Sequence, residues 1–254
     1  MKNLVPKVNI AGVSISNISL TETIQLFNAC IKQEQKIRVC VTPVNCLVWA
    51  NKSQQLADLY NTADLVLCDG VPVIWASKLL STPLKGRVTG LDLLPLYIEE
   101  AYKKGFSMFF LGAKEGVAAA LAEKYRNDCP DIKINGIYAP PYADEFSEQE
   151  NQKIISLINA AAPDILWVSL TAPKQDYWIQ KNLDKINTNI AIGVGGAFEV
   201  TAGLIKRAPL WMQKMGLEWL FRFINEPKRL FKRYLVEAPE FIPLIIKQLF
   251  KKTQ

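Results

Sequence analysis

Asp69 closes the apolar run LVLC within ADLVLCDGVPVIWA. A carboxylate there serves either as a turn and helix cap or as a general base at the mouth of a cleft. The chain contains no histidine, so no Ser-His-Asp or Cys-His relay exists and acid–base chemistry falls to Asp, Glu, Lys, Tyr or Cys. Thr42 and Asn45, in VTPVN, follow another apolar run and suit helix capping or a grip on sugar hydroxyls. Arg87, in KGRVTGLD, is a solvated loop charge or a phosphate ligand. TAPKQD sets Lys174 and Gln175 at the opening of a helix, as plain surface or as ligands. FLGAKEG, around Gly112, and GVGGAF, around Gly195 and Gly196, leave backbone amides to meet a phosphate, although such turns also merely connect elements.

The cations are concentrated at one end. From Leu204 to Gln254 there are eleven Lys and Arg against four carboxylates, a net of +7. The whole chain is +6, so the first 203 residues carry −1. Such a tail attracts the phosphates of a nucleic acid, a sugar nucleotide or a lipid surface. Within it Arg229 and Arg233 share a helix face at i,i+4, with Arg222 on the helix before. Together with Gly112, Lys174, Gly195 and Gly196 they form the candidate phosphate contacts. Without histidine, a Cys cluster or a D-x-D, no metal site is expected.

These residues need a frame that gathers loop ends. Arg38–Thr42, Leu65–Cys68, Ser107–Leu111, Ile132–Asn135, Ile165–Leu170 and Ile190–Val194 read as buried strands. Amphipathic stretches lie between them: Cys46–Tyr60, Val71–Leu80, Leu91–Lys104, Glu115–Asn127, Ser147–Ala161 and Lys174–Leu183. This alternation predicts an α/β, Rossmann-like fold with a mostly parallel sheet flanked by helices, and ligands at the carboxyl ends of the strands. After residue 203 the strands stop. Residues 204–254 read as a helical appendage to a 1–203 core, with segments near Pro209–Lys214, Leu217–Asn225 and Pro227–Lys252, the last broken or kinked at Pro239 and Pro243. The N-terminal stretch lacks a signal-peptide run, no apolar segment is long enough to span a bilayer, and the five cysteines are not paired in CxxC, which together predict a cytosolic protein. FIPLIIKQLF suits the interface of a homo-oligomer or a bilayer.

In order along the chain, TADLVLCDGVPVIWA, RVTGLDLL, FFLGAKEGVA, PDILWVSLTAPKQD, IAIGVGGAFEVTAG and RAPLWMQKMGLEWLFRFINEPKRLFKRYL resemble the motifs of the WecG/TagA/CpsF glycosyltransferase family, from about Val41 to Tyr234. The resemblance implies inverting, metal-independent transfer of a sugar (ManNAc, ManNAcA, glucose or similar) from a UDP-sugar to a polyprenyl-diphosphate-linked sugar. It places the reaction at the cytoplasmic face of the membrane, in teichoic acid, common-antigen, capsule or exopolysaccharide synthesis, with no cofactor. It makes Asp69 the base, puts Thr42, Asn45, Arg87 and Gln175 in the active site, and matches Arg222, Arg229 and Arg233 to the basic residues of the family's appendage. The departures are Thr42-Pro43-Val44-Asn45 for T-x-N, Ser169-Leu170-Thr171 for G-x-G, Asp176 for the acid after Gln, and Glu199 in F-D-x-x-A-G. They fall around the donor pocket and leave the sugar open. The alternative is a nucleic-acid-binding protein using the basic tail. No helix-turn-helix, RNA-binding-sheet or zinc pattern accompanies it, and the cations alternate with Trp, Phe and Leu as on a membrane-surface helix. A dinucleotide oxidoreductase would require a full GxGxxG, which is absent.

Overall fold

The computed structural model describes residues 5–252; the first four residues of the N-terminal stretch and the last two of the basic tail lie outside it. The chain opens on a hairpin, β1 (Lys7–Ile10) and β2 (Val13–Ser16), followed by α1 (Leu20–Lys32). Then come β3 (Ile37–Pro43), α2 (Val44–Lys52), α3 (Gln54–Asn61), β4 (Leu65–Asp69), α4 (Val71–Leu79), α5 (Gly90–Lys104), β5 (Met108–Gly112) and α6 (Val117–Asp128). The core continues through β6 (Ile134–Tyr138), α7 (Glu148–Ala161), β7 (Ile165–Ser169), α8 (Lys174–Asn182), β8 (Ile190–Gly193) and α9 (Ala197–Thr201).

Strands β3 to β8 form one parallel sheet in the order β4-β3-β8-β7-β5-β6. β4, β5, β7 and β8 read as unbroken apolar runs because both faces of the sheet are covered by helices. The period of two divides their side chains. Val39, Leu67, Phe110, Trp167 and Ile192 pack with α1, α5, α6 and α9, where Phe27–Tyr97, Tyr97–Trp167 and Phe110–Phe198 meet ring to ring. On the other face Cys40, Val66 and Cys68 pack with α2, α3 and α4, and Leu111, Leu166 and Val168 with α7 and α8.

The sheet, its order of alternation and the helical end agree with the sequence reading, with local differences. The stretch Cys46–Tyr60 is two helices rather than one, because Ser53 ends α2 and its hydroxyl accepts the Leu56 amide to start α3. Strand β6 begins at Ile134, two residues later than expected. The hairpin, α1 and α9 were not anticipated.

The tail continues as α10 (Leu210–Lys214), α11 (Glu218–Asn225) and α12 (Pro227–Phe231), then a π-helical stretch over Lys232–Glu237, a 3₁₀ turn over Ala238–Glu240 and α13 (Phe241–Lys252). Pro239 sits in the 3₁₀ turn and Pro243 in the first turn of α13, where a missing N–H costs no helical bond. The tail packs against the core. Phe241 and Ile245 are buried with residues of α2, and Gln248 bonds Ala11 N and Asn9 O at 2.8 Å each. One side of α13 is thus committed to its own chain, while Ile242, Ile246 and Phe250 stay exposed. A short turn at Gly216 packs on Val71 of α4; a Cβ there would lie 2.9 Å from the valine.

Candidate active site

The carboxyl ends of all six parallel strands line one cleft of about 1050 Å³, through Pro43, Asp69, Ala113, Tyr138, Ser169 and Val194. In a doubly covered parallel sheet ligands bind in the crevice outside these ends. Nine of the twelve residues singled out from sequence border the cleft: Asn45, Asp69, Lys174, Gln175, Gly195, Gly196, Arg222, Arg229 and Arg233. Thr42, Arg87 and Gly112 do not.

Each of the three has a physical reason. Alternation along β3 turns Thr42 to the same face as Cys40; it is fully buried and its hydroxyl has no partner. Gly112, at φ 100°, lies against β7, where a Cβ would come within 2.5 Å of Ser169 O. It brings two strands together, and Ala113 takes its place in the wall. Arg87 is drawn into an ion network with Asp92 and Glu218, at 3.4 Å from each.

Asp69 is half-buried at the end of β4. Burial pushes its carboxyl above the ordinary aspartate range; Arg233, Arg87 and Arg222 pull it back, in that order, and Glu218 adds to the rise. A carboxylate so placed is a stronger base than a solvated one, yet three guanidiniums keep its charged form accessible.

Gln175 is 2% exposed, and its Oε1 accepts the Gly195 amide at 3.0 Å. It lies across Gly193, where a Cβ would stand 2.6 Å from the glutamine side chain. That close approach changes the reading of GVGGAF. Two of its amides are occupied, Val194 N by Val168 O at 2.8 Å and Gly195 N by Gln175, so the segment has fewer donors for an anion than its glycines suggest. Asp176, the next residue, is fully buried, with Tyr60 Oη donating to its Oδ2 at 3.4 Å. Burial raises it to about 7, against hydrogen bonds from Cys40 and Tyr60 and the charge of Arg38. Lys174 is turned to the β6–α7 loop: it donates to Ala143 O and stands 4.2 Å from the Phe146 ring centre. Burial lowers its pKa.

The tail supplies the cations. Arg222 reaches Gly196, its Nη2 3.5 Å from where a Cβ would be. Arg229 Nε donates to Glu226 Oε2 at 2.6 Å, and Arg233 has a buried Nε with no partner. Arg233 stands at the start of the π-helical stretch, whose wider turn departs from the regular spacing assumed for this face. Sequence reasoning missed Tyr138, Tyr142 and Phe146 on the β6–α7 wall, with Tyr142 95% exposed. It also missed Arg207 and Glu218 beside the cleft. The aromatics of PPYADEF directly after a strand were the available signal. Among the described residues no cluster of three His, Cys, Asp or Glu side chains is placed to hold a metal ion. No helix among them is long and apolar enough to cross a membrane.

The family described as "Glycosyl transferase WecG/TagA/CpsF family" matches residues 8–254. The chain is similar to the N-acetylglucosaminyldiphosphoundecaprenol N-acetyl-beta-D-mannosaminyltransferase of Bacillus spizizenii, 33% identical over 74% of this chain and 70% of the relative. It is similar to the Bacillus subtilis protein of the same name, 32% identical over 85% and 82%, and to that of Staphylococcus aureus, 27% identical over 88% and 87%.

Proposed function

This chain belongs to the WecG/TagA/CpsF family of glycosyl transferases, and from that premise we propose that it moves N-acetylmannosamine from UDP to an N-acetylglucosaminyl-diphosphate polyprenol. It is a glycosyltransferase of hexosyl type; the sugar and acceptor of the proposal follow the names of its relatives. The observation that carries the reaction is Asp69, half-buried at a strand end with Arg233, Arg87 and Arg222 bearing on its carboxyl.

The acceptor hydroxyl attacks the anomeric carbon as Asp69 takes its proton, and the bond to the UDP oxygen breaks with its electron pair going to the diphosphate. A single displacement inverts the anomeric centre. The leaving diphosphate gains charge, and Arg222, Arg229 and Arg233 stand at the cleft to stabilise it, which supports catalysis without a metal. Gln175, fixed on Gly195, and Asn45 border the same space and suit the sugar. A lipid-linked acceptor supports reaction at a membrane surface, and a nucleotide-sugar donor favours the cytoplasmic face. That tail arginines turn into the cleft favours a sugar nucleotide over a nucleic acid as their phosphate partner. Purified protein should transfer from UDP-ManNAc, and not from UDP-glucose or UDP-GlcNAc, to a short-chain GlcNAc-diphosphate lipid, equally well in EDTA. Transfer from another donor would correct the sugar; binding of DNA without any transfer would reject the reaction.

A further inference from the structure

Two arginines and two carboxylates beside the cleft form a set that is neutral overall but unequally shared. Arg207, in the first residues of the appendage, takes Asp92 Oδ1 at 2.6 Å and Glu218 Oε1 at 2.8 Å. Its Nη1 donates to Leu91 O at 3.2 Å. Arg87 reaches the other oxygens of the same two carboxylates at 3.4 Å each, beyond the usual length of such bonds. Arg207 is the clamped cation and Arg87 the loosely held one. Burial opposes the charge on Arg207, yet its bonds to Glu218 and Asp92 raise its pKa above the ordinary arginine value.

Arg87 also stands at the catalytic end of the set. The amide of Val88 donates to Cys68 O at 2.9 Å, which ties this loop to the strand residue before Asp69. We propose that Arg207 is a positioning residue: by satisfying Asp92 and Glu218 it leaves Arg87 free to turn onto the diphosphate of the nucleotide donor. This deepens the proposed function and rests on Arg87 meeting the donor's phosphates. The same residue makes Arg87 available only when the appendage is docked, because Glu218 belongs to α11 and Asp92 to α5 of the core. Without Arg207, two carboxylates face one guanidinium, and Arg87 closes on both. Removing one carboxylate as well restores the balance of charge. A docking role alone forecasts the opposite, because Glu218 is the appendage's own contact and its loss removes a second tether.

UDP binding by full-length variants, measured by calorimetry, separates the two, with limited proteolysis reporting whether the appendage is docked. Arg207→Ala should weaken UDP binding by about tenfold or more, the scale of one charge-assisted hydrogen bond. Arg207→Ala combined with Glu218→Gln should recover most of that loss while staying at least as protease-sensitive as the single variant. No recovery, or further weakening, overturns the proposal. Arg207→Lys keeps the charge but does not span both carboxylates, and should fall between wild type and Arg207→Ala. The same Glu218→Gln rescue is read in that background should the alanine variant not fold. Arg87→Ala tests the premise. If it binds UDP as tightly as wild type, Arg87 does not meet the phosphates and the proposal falls with that premise. If it binds weakly and the double variant still shows no recovery, only the role of Arg207 falls.

Discussion

At the scale of single residues, Asp69 carries the sharpest consequence. Its folded-state carboxyl lies above the ordinary aspartate value, burial being the largest cause. For stability the sign is that of a raised acid: the contribution is fully present below the unfolded value and is lost as pH rises through the folded one. For catalysis the sign is opposite, because a base works only when deprotonated. kcat/KM should therefore fall as pH drops through the raised value, on an acid limb displaced upward from that of a solvated carboxylate. Asp69→Asn should lower kcat by roughly 10²- to 10⁴-fold, the usual worth of a general base, and abolish that limb. UDP affinity should not fall, since the substitution removes a negative charge beside the diphosphate. Near-normal turnover in Asp69→Asn would remove the residue from this role. The residue type and its place after an apolar run made Asp69 legible in the sequence. The destination of Arg87 was not, because both carboxylates that hold it are chosen by folding, and Glu218 lies 131 residues away. Nor does the sequence show that Gln175 occupies the space over Gly193, which sets the glycine aside for a side chain rather than a ligand.

At the scale of elements, the parallel strands were legible because covered strands are continuous apolar runs, and the residues after them had to face one cleft. The hairpin escaped because its Ala11-Gly12 turn is not one of the strong Asn-Gly or Asp-Gly signals. The helix α1 did carry a readable start, the Ser19–Glu22 capping box, in which the Ser19 amide donates to Glu22 at 2.9 Å. The π-helical stretch was illegible for a different reason: regular helical spacing carries no sign of a widened turn. This segment is where core and tail become one site, since Arg233 arrives from it and Asp69 from β4. Truncation after Gly203 removes Arg207, Arg222, Arg229 and Arg233 together, and also the Phe241 and Ile245 cover of α2. The truncated core should lose at least about 10³-fold in turnover, more than one oxyanion-type contact is worth. Steady-state assay with the lipid acceptor checks this, with circular dichroism confirming that the core remains folded. A folded, active core would show that the arginines of the tail are dispensable.

At the scale of the whole molecule, the +7 of the tail divides by residue type. Arg222, Arg229 and Arg233 border the cleft and Arg207 joins tail to core, whereas Lys206, Lys214, Lys228, Lys232, Lys247 and Lys251 are exposed. The division follows from chemistry: guanidinium matches phosphate at close range with a planar fork, while a lysine ammonium acts as a hydrated point charge. Among the described lysines of the tail Lys232 has a described carboxylate within 4 Å, Glu237 at 3.9 Å, and Lys206, Lys214, Lys228, Lys247 and Lys251 have none, so most of this outward charge is uncancelled among the described residues. Large apolar side chains lie exposed on or beside the same helices, Trp211 at 59%, Met215 at 63% and Phe231 at 54%, and Trp75 of α4 at 62% lies one helical turn beyond the Val71 that packs on Gly216. Cations interspersed with exposed Trp and Phe suit the headgroup region of an anionic bilayer, where each lysine near the surface contributes about 1 kcal/mol. Binding to vesicles containing anionic phospholipid should weaken by about tenfold or more when Lys214, Lys228 and Lys232 are changed together to Glu, and between 0.1 and 1 M salt, as the screening length contracts from roughly 10 to 3 Å. UDP affinity of that triple variant should stay at the wild-type value, because none of the three lysines borders the cleft. Equal binding to neutral and anionic vesicles, or a triple variant that still sediments with anionic ones, would assign the lysines to solubility and leave the lipid acceptor to be met by the apolar side chains alone.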